Sequence, residues 1–464
     1  MQSRDRETVL AKSSALETIR LCFVDQHGIL RGKTIVAEML DSVFDKGIGV
    51  PSTLLLKDTS HRTVFPIWQE GTEICDLPLS GASDVVLRPD PGLFFPLPWA
   101  PHSAIMLCDV LDRNCAPVAF SASAVLDRAV EALAEAGYEA IFGLEVEFQV
   151  FRRTDPALEH SQATIPPSPP QTENLTQGHQ FLTETRYGEA EALLDHLRRM
   201  AEGMGFEPRT VEIEMGPSQF EFTFAPGDPK TQAARFVLFR TMVKEVCQSR
   251  GLHASFMAKP RLPNAAANGW HMHQSLLHLG SGENAFTPAA TDALTPEASG
   301  WIAGLLDHAT ELCLLTNPTV NSYKRFSPFQ LAPNRILWGN DNRGAMLRGL
   351  MMPGDPAARI ENRVADSSAN PYFAFAGQIH SGRAGLAAGQ SAPPPSETPY
   401  TAADAQKLPT NLGDAITLFE TSPFVEACLG ADVQSYLTKL KRAEWERYLM
   451  NLSEWEHQEY FGLF

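Results

Sequence analysis

The chain has 464 residues, long for a single hydrophobic core, so two or three domains are expected. It is 44% hydrophobic and 20% charged, and its net charge of −17 argues against a general nucleic-acid or anionic-membrane surface, both of which need basic patches. Seven scattered cysteines (Cys22, Cys75, Cys108, Cys115, Cys247, Cys313, Cys428) with no CxxC pair, and no apolar leader or membrane-length segment, fit a soluble cytoplasmic protein with reduced thiols.

In chain order, residues 19–36 read as two β-runs around a turn at His27-Gly28. Gly28 to Thr34 imitates a phosphate-binding loop but has three residues between its glycines where that loop needs four. Short strands, prolines and loops follow, ending in AIMLCDV (104–110), a continuous apolar run typical of a buried strand. At 121–136 the period changes: Ser121 or Ser123 can cap a helix, Val125, Leu126, Ala129, Val130 and Leu133 form its stripe, and Gly137 stops it. The composition shift near 111–120 divides the chain into a small β-rich domain, 1–112, and a larger mixed one, 113–464. Residues 155–180, rich in Pro, Ser, Gln and Thr, predict a surface loop. Helical patterning follows at 187–203 (Leu193, Leu194 and Leu197 inward), 229–250, 297–315, 413–421 and 432–450, with a linker-like stretch at 391–399.

Four segments carry the chemistry. In NGWHMHQS (268–275), His271, His273 and Ser275 share one strand face, which is either a solvated edge or aimed at something charged. In GLEVEF (143–148), Glu145 and Glu147 share a face opposite Leu144, Val146 and Phe148. VEIEMGPSQFEF (211–222) places Glu214 and Glu221 around a Gly-Pro turn, and RIENR (359–363) adds Glu361. Buried unpaired carboxylates cost several kcal/mol each, so if these segments converge a cation belongs among them. A carboxylate-rich set with little imidazole suits Mg²⁺ or Mn²⁺ better than zinc.

Together with VDQHGILRGKT (24–34), NPTVNSYKRF (317–326), WGNDNR (338–343) and RIENRVADSSANPY (359–372), these segments resemble the glutamine synthetase family, in the family's order and over nearly the whole chain. The resemblance implies an α+β fold: an N-terminal β-grasp domain and a catalytic domain with a curved antiparallel sheet flanked by helices. It implies phosphoryl transfer from ATP to the side-chain carboxylate of glutamate, then displacement of phosphate by a nitrogen nucleophile. One divalent cation would be held by Glu147, Glu214 and Glu221, and a second by Glu145, His271 and Glu361. His273, Ser275 and Arg359 would face ATP, Arg325 and Arg363 would hold glutamate beside Glu147, and Arg343 and Arg348 would neutralise phosphate charge. Homo-oligomeric rings, commonly dodecamers, with active sites between subunits are implied as well.

The chain departs from that family in ways that bear on the nucleophile. Glutamine-forming members carry a Glu immediately before the Ala-Pro that follows the KR dipeptide; here Leu331 precedes Ala332-Pro333, with Gln330 before it. The Asp-Gly-Ser-Ser run that binds ammonium has no counterpart in FDKGIGVPSTLL (44–55), although Asp45 lies nearby. An apolar Leu331 makes room for a carbon-bearing amine and desolvates it. This pattern resembles the γ-glutamylpolyamine synthetase branch, which ligates glutamate to amines for catabolism. Ammonia-dependent glutamine synthesis and a non-catalytic sensor are the alternatives. Tyr400 lies near the place of a modified tyrosine in some bacterial relatives, but SETPYTAAD is not a close match and reads as an ordinary exposed tyrosine.

Overall fold

The computed structural model describes residues 2–464 apart from 72, 75, 76, 156, 292 and 327–330, so Cys75 and Gln330 lie outside the described residues. Strand alternation shapes the first hundred residues. In β1 (Thr18–Val24), Ile19, Leu21 and Phe23 are buried while their neighbours are partly open. β1 pairs antiparallel with β2 (Leu30–Val36) across the His27-Gly28 turn, where Gly28 takes a left-handed φ of 72°. The phosphate-loop look-alike is therefore a hairpin: Gly32 lies within β2 opposite Cys22. With β3 (Ile48–Pro51), β4 (Asp84–Pro96) and β5 (Ser103–Leu111) these strands form a five-stranded sheet of order β2-β1-β5-β4-β3, antiparallel except for the β1/β5 pair. This is the mixed β-grasp arrangement expected.

The second sheet has nine strands among the described residues. Its spine is the sixteen-residue β6 (Tyr138–Arg153), whose far end also pairs with β7 (Thr172–Asn174). β8 (Pro208–Ile213), β9 (Gln219–Phe224) and β10 (Leu252–Ser255) follow, then β11 (Trp270–His278), β12 (Trp338–Asn340), β13 (Leu347–Leu350) and β14 (Arg359–Asn362). The order is β8-β9-β6-β11-β14-β13-β12, with β10 also on β6. The pairing is antiparallel as expected, except for the parallel β12/β13 contact.

The even-numbered positions of β6 and β11 form the underside of this sheet. Phe142, Leu144, Val146, Phe148, Met272 and Leu276 are almost wholly buried there. Helix α1 (Ala122–Glu135) begins at Ser121 as its pattern predicts, but the Ser121 hydroxyl makes no capping bond. Helix α2 (Glu184–Gly203) starts three residues before the expected 187, burying Leu194 and Leu197 with Leu193 half-buried. Helix α3 (Pro229–Gln248) is capped by Asp228, which accepts the Thr231 amide. The helix expected over 297–315 is two, α4 (Pro296–Asp307) and α5 (Ala309–Thr316), broken at His308 where φ is −104°. Helix α6 (Pro371–Ala387) has no counterpart in the expected elements; buried nearly all round, it carries no amphipathic stripe to reveal it. Helices α7 (Leu412–Glu420) and α8 (Ala431–Leu449) lie where expected. No helix among the described residues is long and apolar enough to cross a membrane.

Aromatic contacts lock helices to the underside. Phe375 of α6 lies 4.1 Å from Phe142, and Trp270 is sandwiched between Phe236 of α3 at 4.3 Å and Phe375 at 5.4 Å. The odd-numbered face is thereby held rigid from below. Trp270→Ala should cost about 3–5 kcal/mol of unfolding free energy, measured by denaturant titration. A loss under about 1 kcal/mol would contradict a sheet braced by this sandwich.

Candidate active site

Register, more than sequence proximity, assembles the odd-numbered face. Glu147 stands opposite Glu221 across β6/β9, and Glu145 opposite His271 across β6/β11. His273 stands opposite Glu361 across β11/β14, and Glu361 opposite Arg348 across β14/β13. Glu214 joins from the turn after β8, its Oε2 accepting the Met215 amide at 3.1 Å. Three groups bring ligand atoms within 4.8 Å of one another: Glu147, Glu214 and Glu221; Glu145, Glu221 and His271; Glu145, His273 and Glu361. The first is the expected set. The expected second set, Glu145, His271 and Glu361, is divided between the other two groups, although His271 Nδ1 lies 2.5 Å from Glu145 and 3.6 Å from Glu361.

Hydrogen bonds fix the two imidazoles. His273 Nδ1 accepts from Arg359 Nε at 3.1 Å, which leaves its Nε2–H to donate to Glu145 Oε2 at 2.9 Å. His271 directs Nδ1 at Glu145 Oε1 and Nε2 toward Glu147 Oε1, 3.7 Å away. Glu147 is held by the Gly269 amide at 2.7 Å and by Gln219 Nε2 at 3.2 Å. Gly269 has to be glycine: a Cβ there would lie 2.9 Å from His271 Nε2, 3.0 Å from an Arg325 terminal nitrogen and 3.1 Å from Glu147.

Charge is unevenly distributed over the cluster. Burial, then the neighbouring Glu147, pushes the Glu214 carboxyl up to about 8. Burial with Glu145 and Glu147 raises Glu221 well above the carboxylate range. Burial pushes Glu361 the same way, but Arg363 and His271 outweigh it and hold the group low; His271 and His273 do the same for Glu145. The Glu214/Glu221 end is thus a set of oxygens short of positive charge, with few imidazoles nearby. It fits a hard divalent cation.

The arginines separate into two kinds. Arg363 pairs with the fully buried Glu361, and Arg348 bridges Glu361 at 3.0 Å and Asp341 at 2.5 Å. Arg325 is buried and donates to the carbonyls of Val364 and Ala365 at 2.6 and 2.9 Å. The Nε–H groups of both Arg325 and Arg363 have no partner among the described residues. Two buried guanidiniums therefore keep a donor in reserve for an anion. Ser275 is half-buried on the His271/His273 face, whereas Arg343 is exposed and outside the cluster. Two positioning residues were not anticipated. Gln219 ties Glu147 to Asn268, to the Ala267 carbonyl and to the Gly216 amide; its only signal was sharing the parity of Glu221. Asp341 orients Arg348, and within WGNDNR nothing distinguished it from its neighbours.

The glutamine synthetase catalytic domain matches residues 121–460. The chain belongs to the glutamine synthetase family. It is 33% identical to a gamma-glutamylanilide synthase of Acinetobacter, over 98% of this chain and 95% of that protein. It is 30% identical to the gamma-glutamylethanolamide synthetase GlnA4 of Streptomyces coelicolor, over 97% and 94%. The glutamine synthetase of Thermus thermophilus is 32% identical over 90% of this chain and 93% of its own. Among solved structures, a GmaS/ADP complex superposes with a TM-score of 0.81 at 26% identity, covering 98% of this chain and 99% of that one.

A cation held among Glu147, Glu214 and Glu221 would have to displace the proton that the raised Glu214 carboxyl keeps. Mg²⁺ or Mn²⁺ should raise the unfolding temperature more at pH 8.5 than at pH 6.5, with apparent affinity changing up to about tenfold per pH unit per proton displaced. Without metal the sign reverses. A carboxyl raised in the fold stabilises below its unfolded value of 4.5, and that contribution is lost as pH rises through about 8. Metal stabilisation equal at both pH values would contradict this assignment.

Proposed function

We propose that this protein is an ATP-dependent ligase that joins the γ-carboxylate of glutamate to a carbon-bearing amine through γ-glutamyl phosphate. The single observation that carries the reading is a carboxylate row met by Arg325, Arg348 and Arg363 in a chain that has Leu331 where glutamine-forming relatives place a proton-handling Glu. The first two relatives described above are named as synthetases of a gamma-glutamylanilide and a gamma-glutamylethanolamide, which supports an organic amine.

Glu147, Glu214 and Glu221 would hold one Mg²⁺ or Mn²⁺, and Glu145, His271 and Glu361 a second, with His273 at its edge. Bound there, the cations would supply charge neutralisation and a template for the phosphoryl oxygens. The chain's own residues supply the rest. Arg325 and Arg363, each with a spare Nε–H, would grip glutamate's carboxylates, with Glu147 next to Arg325. Arg348, held between Asp341 and Glu361, would offset charge on the transferred group, and exposed Arg343 is free to swing onto the nucleotide phosphates. His273, Ser275 and Arg359 lie on one side of this row and would face ATP.

In the first step a γ-carboxylate oxygen bonds to the terminal phosphorus of ATP, and the bond to the bridging oxygen breaks, releasing ADP. In the second the amine nitrogen bonds to the acyl carbon, phosphate leaves, and one proton departs from nitrogen. Guanidiniums that carry no titratable proton near neutrality suit the first step. A half-exposed Leu331 suits the second by presenting hydrocarbon to the amine.

The same reading divides the chain at 112/113 and, by resemblance, assembles it as rings of twelve subunits with active sites between neighbours. A polyamine is one acceptor within the class, and a cytoplasmic amine-degrading role would follow from it. Phosphate release from ATP and glutamate against ammonium, ethanolamine, aniline and putrescine, with mass spectrometry of products, tests the proposal. A γ-glutamyl adduct of an organic amine is expected. Product with ammonium alone would make the protein a glutamine synthetase, and no turnover with metal bound would make it a non-catalytic binder. Leu331→Glu should lower kcat/KM for the organic amine about tenfold or more while raising it for ammonium.

A further inference from the structure

Tyr400 is not the ordinary exposed tyrosine that its sequence setting suggests. It is half-buried on a single helical turn, Pro399–Thr401, and its hydroxyl oxygen accepts the backbone N–H of Leu331 at 3.1 Å. Leu331 itself holds a left-handed φ of 54°, a conformation that costs a leucine energy and persists only where surroundings impose it.

Those surroundings come from the segment that contains Tyr400. Arg335 donates to the Ala402 carbonyl at 2.6 Å, the Ile336 amide to Gln406 at 2.8 Å, and the Leu408 amide to Asn334 at 2.9 Å. Further back, Trp338 Nε1 donates to Pro393 at 2.6 Å and the Ser396 amide to Trp338 at 2.8 Å. The stretch that reads as a linker, 391–399, and the residues after it as far as 408 are therefore sewn along the backbone that follows Leu331.

The ring of Tyr400 makes a second connection. It lies so close to Gly344 that a Cβ there would come within 2.9 Å of Cε2. Gly344 belongs to the turn that Asn342 ties to the Glu397 carbonyl at 3.1 Å. That turn begins at Asp341, which orients Arg348, which in turn bridges Glu361 of the carboxylate row. One phenol thus touches Leu331 with its oxygen and the Asp341–Gly344 turn with its ring.

We infer that Tyr400 is a positioning residue that sets Leu331 as a wall of the acceptor-amine pocket while registering that wall against the Arg348–Glu361 end of the site. This rests on the reading of Leu331 given under the proposed function. The hydroxyl and the ring have separable duties. The hydroxyl holds the Leu331 backbone, and so acts on the amine. The ring supports the turn that orients Arg348, and so acts on phosphoryl transfer as well.

Tyr400→Phe removes the oxygen and keeps the ring. In the full-length enzyme it should raise KM for the organic amine that the wild type uses among ethanolamine, aniline and putrescine by about five- to tenfold, the scale of one lost hydrogen bond. KM for ATP and glutamate should stay within about twofold, and a peptide spanning Leu331 should exchange about one more amide hydrogen at early times. Tyr400→Ala should also lower kcat. Leu331→Ala separates the two layers of the inference. If it raises the amine KM but Tyr400→Phe does not, Tyr400 has no positioning function and the inference fails alone. If Leu331→Ala leaves the amine KM unchanged, the reading of Leu331 fails and the inference with it. Unchanged exchange at Leu331 in Tyr400→Phe, or equal rises in all three KM values, would also overturn it.

Discussion

The rest of this structure depends on one electrostatic constraint: carboxylates from three separate stretches of chain are brought side by side on one face of a sheet and largely out of water. Glu221 on β9 lies beside Glu147 and Glu145 on β6, Glu361 stands on β14 beyond the intervening β11, and Glu214 closes the row from a turn. Arginine and histidine answer this charge chiefly at the Glu145/Glu361 end. At the Glu214/Glu221 end, burial and like-charge repulsion hold protons on the carboxyls instead. Such an arrangement is a poor way to stabilise a fold, since leaving a buried charge uncompensated costs about 3–5 kcal/mol. It makes physical sense as a receptacle for divalent cations and phosphate, with the aromatic underside of the sheet keeping the oxygens in place.

Much of this face was legible in the sequence because strand parity is a local property. The alternation in GLEVEF puts Glu145 and Glu147 together whatever the fold, and the spacing of His271, His273 and Ser275 does the same. What parity cannot supply is register between strands. That His273 stands opposite Glu361, so that the two imidazoles divide the carboxylates differently from the expected second set, depends on pairings between distant segments. Helix α6 escaped notice for a related reason, since a helix buried on every side presents no contrast between faces. The break at His308 between α4 and α5 lies within an apolar run whose periodicity continues across it. Gln219 and Asp341 act by orienting other residues, and their roles exist only once the partners are in place.

The substrate preference has a different physical origin. The carboxylate row and the two spare guanidinium donors are suited to any reaction that activates a carboxylate with ATP; they do not choose the nucleophile. That choice would fall to the side chains lining the way to the acyl carbon, where an apolar residue such as Leu331 would favour hydrocarbon and leave a small cation without a carboxylate partner. Tyr400 joins these two halves, because it contacts both Leu331 and the turn that orients Arg348. Chemistry and selectivity then share a scaffold while drawing on separate side chains.

Divided at Glu221, this row would act as a receptacle for two cations. Crystals soaked in Mn²⁺ at pH 8.5, with data collected for anomalous scattering, test it directly. Two peaks per chain are expected, one among Glu147, Glu214 and Glu221 and the other beside Glu145 and His271, with the first lost in Glu221→Gln. Well-ordered carboxylates with no anomalous peak between them would contradict the account.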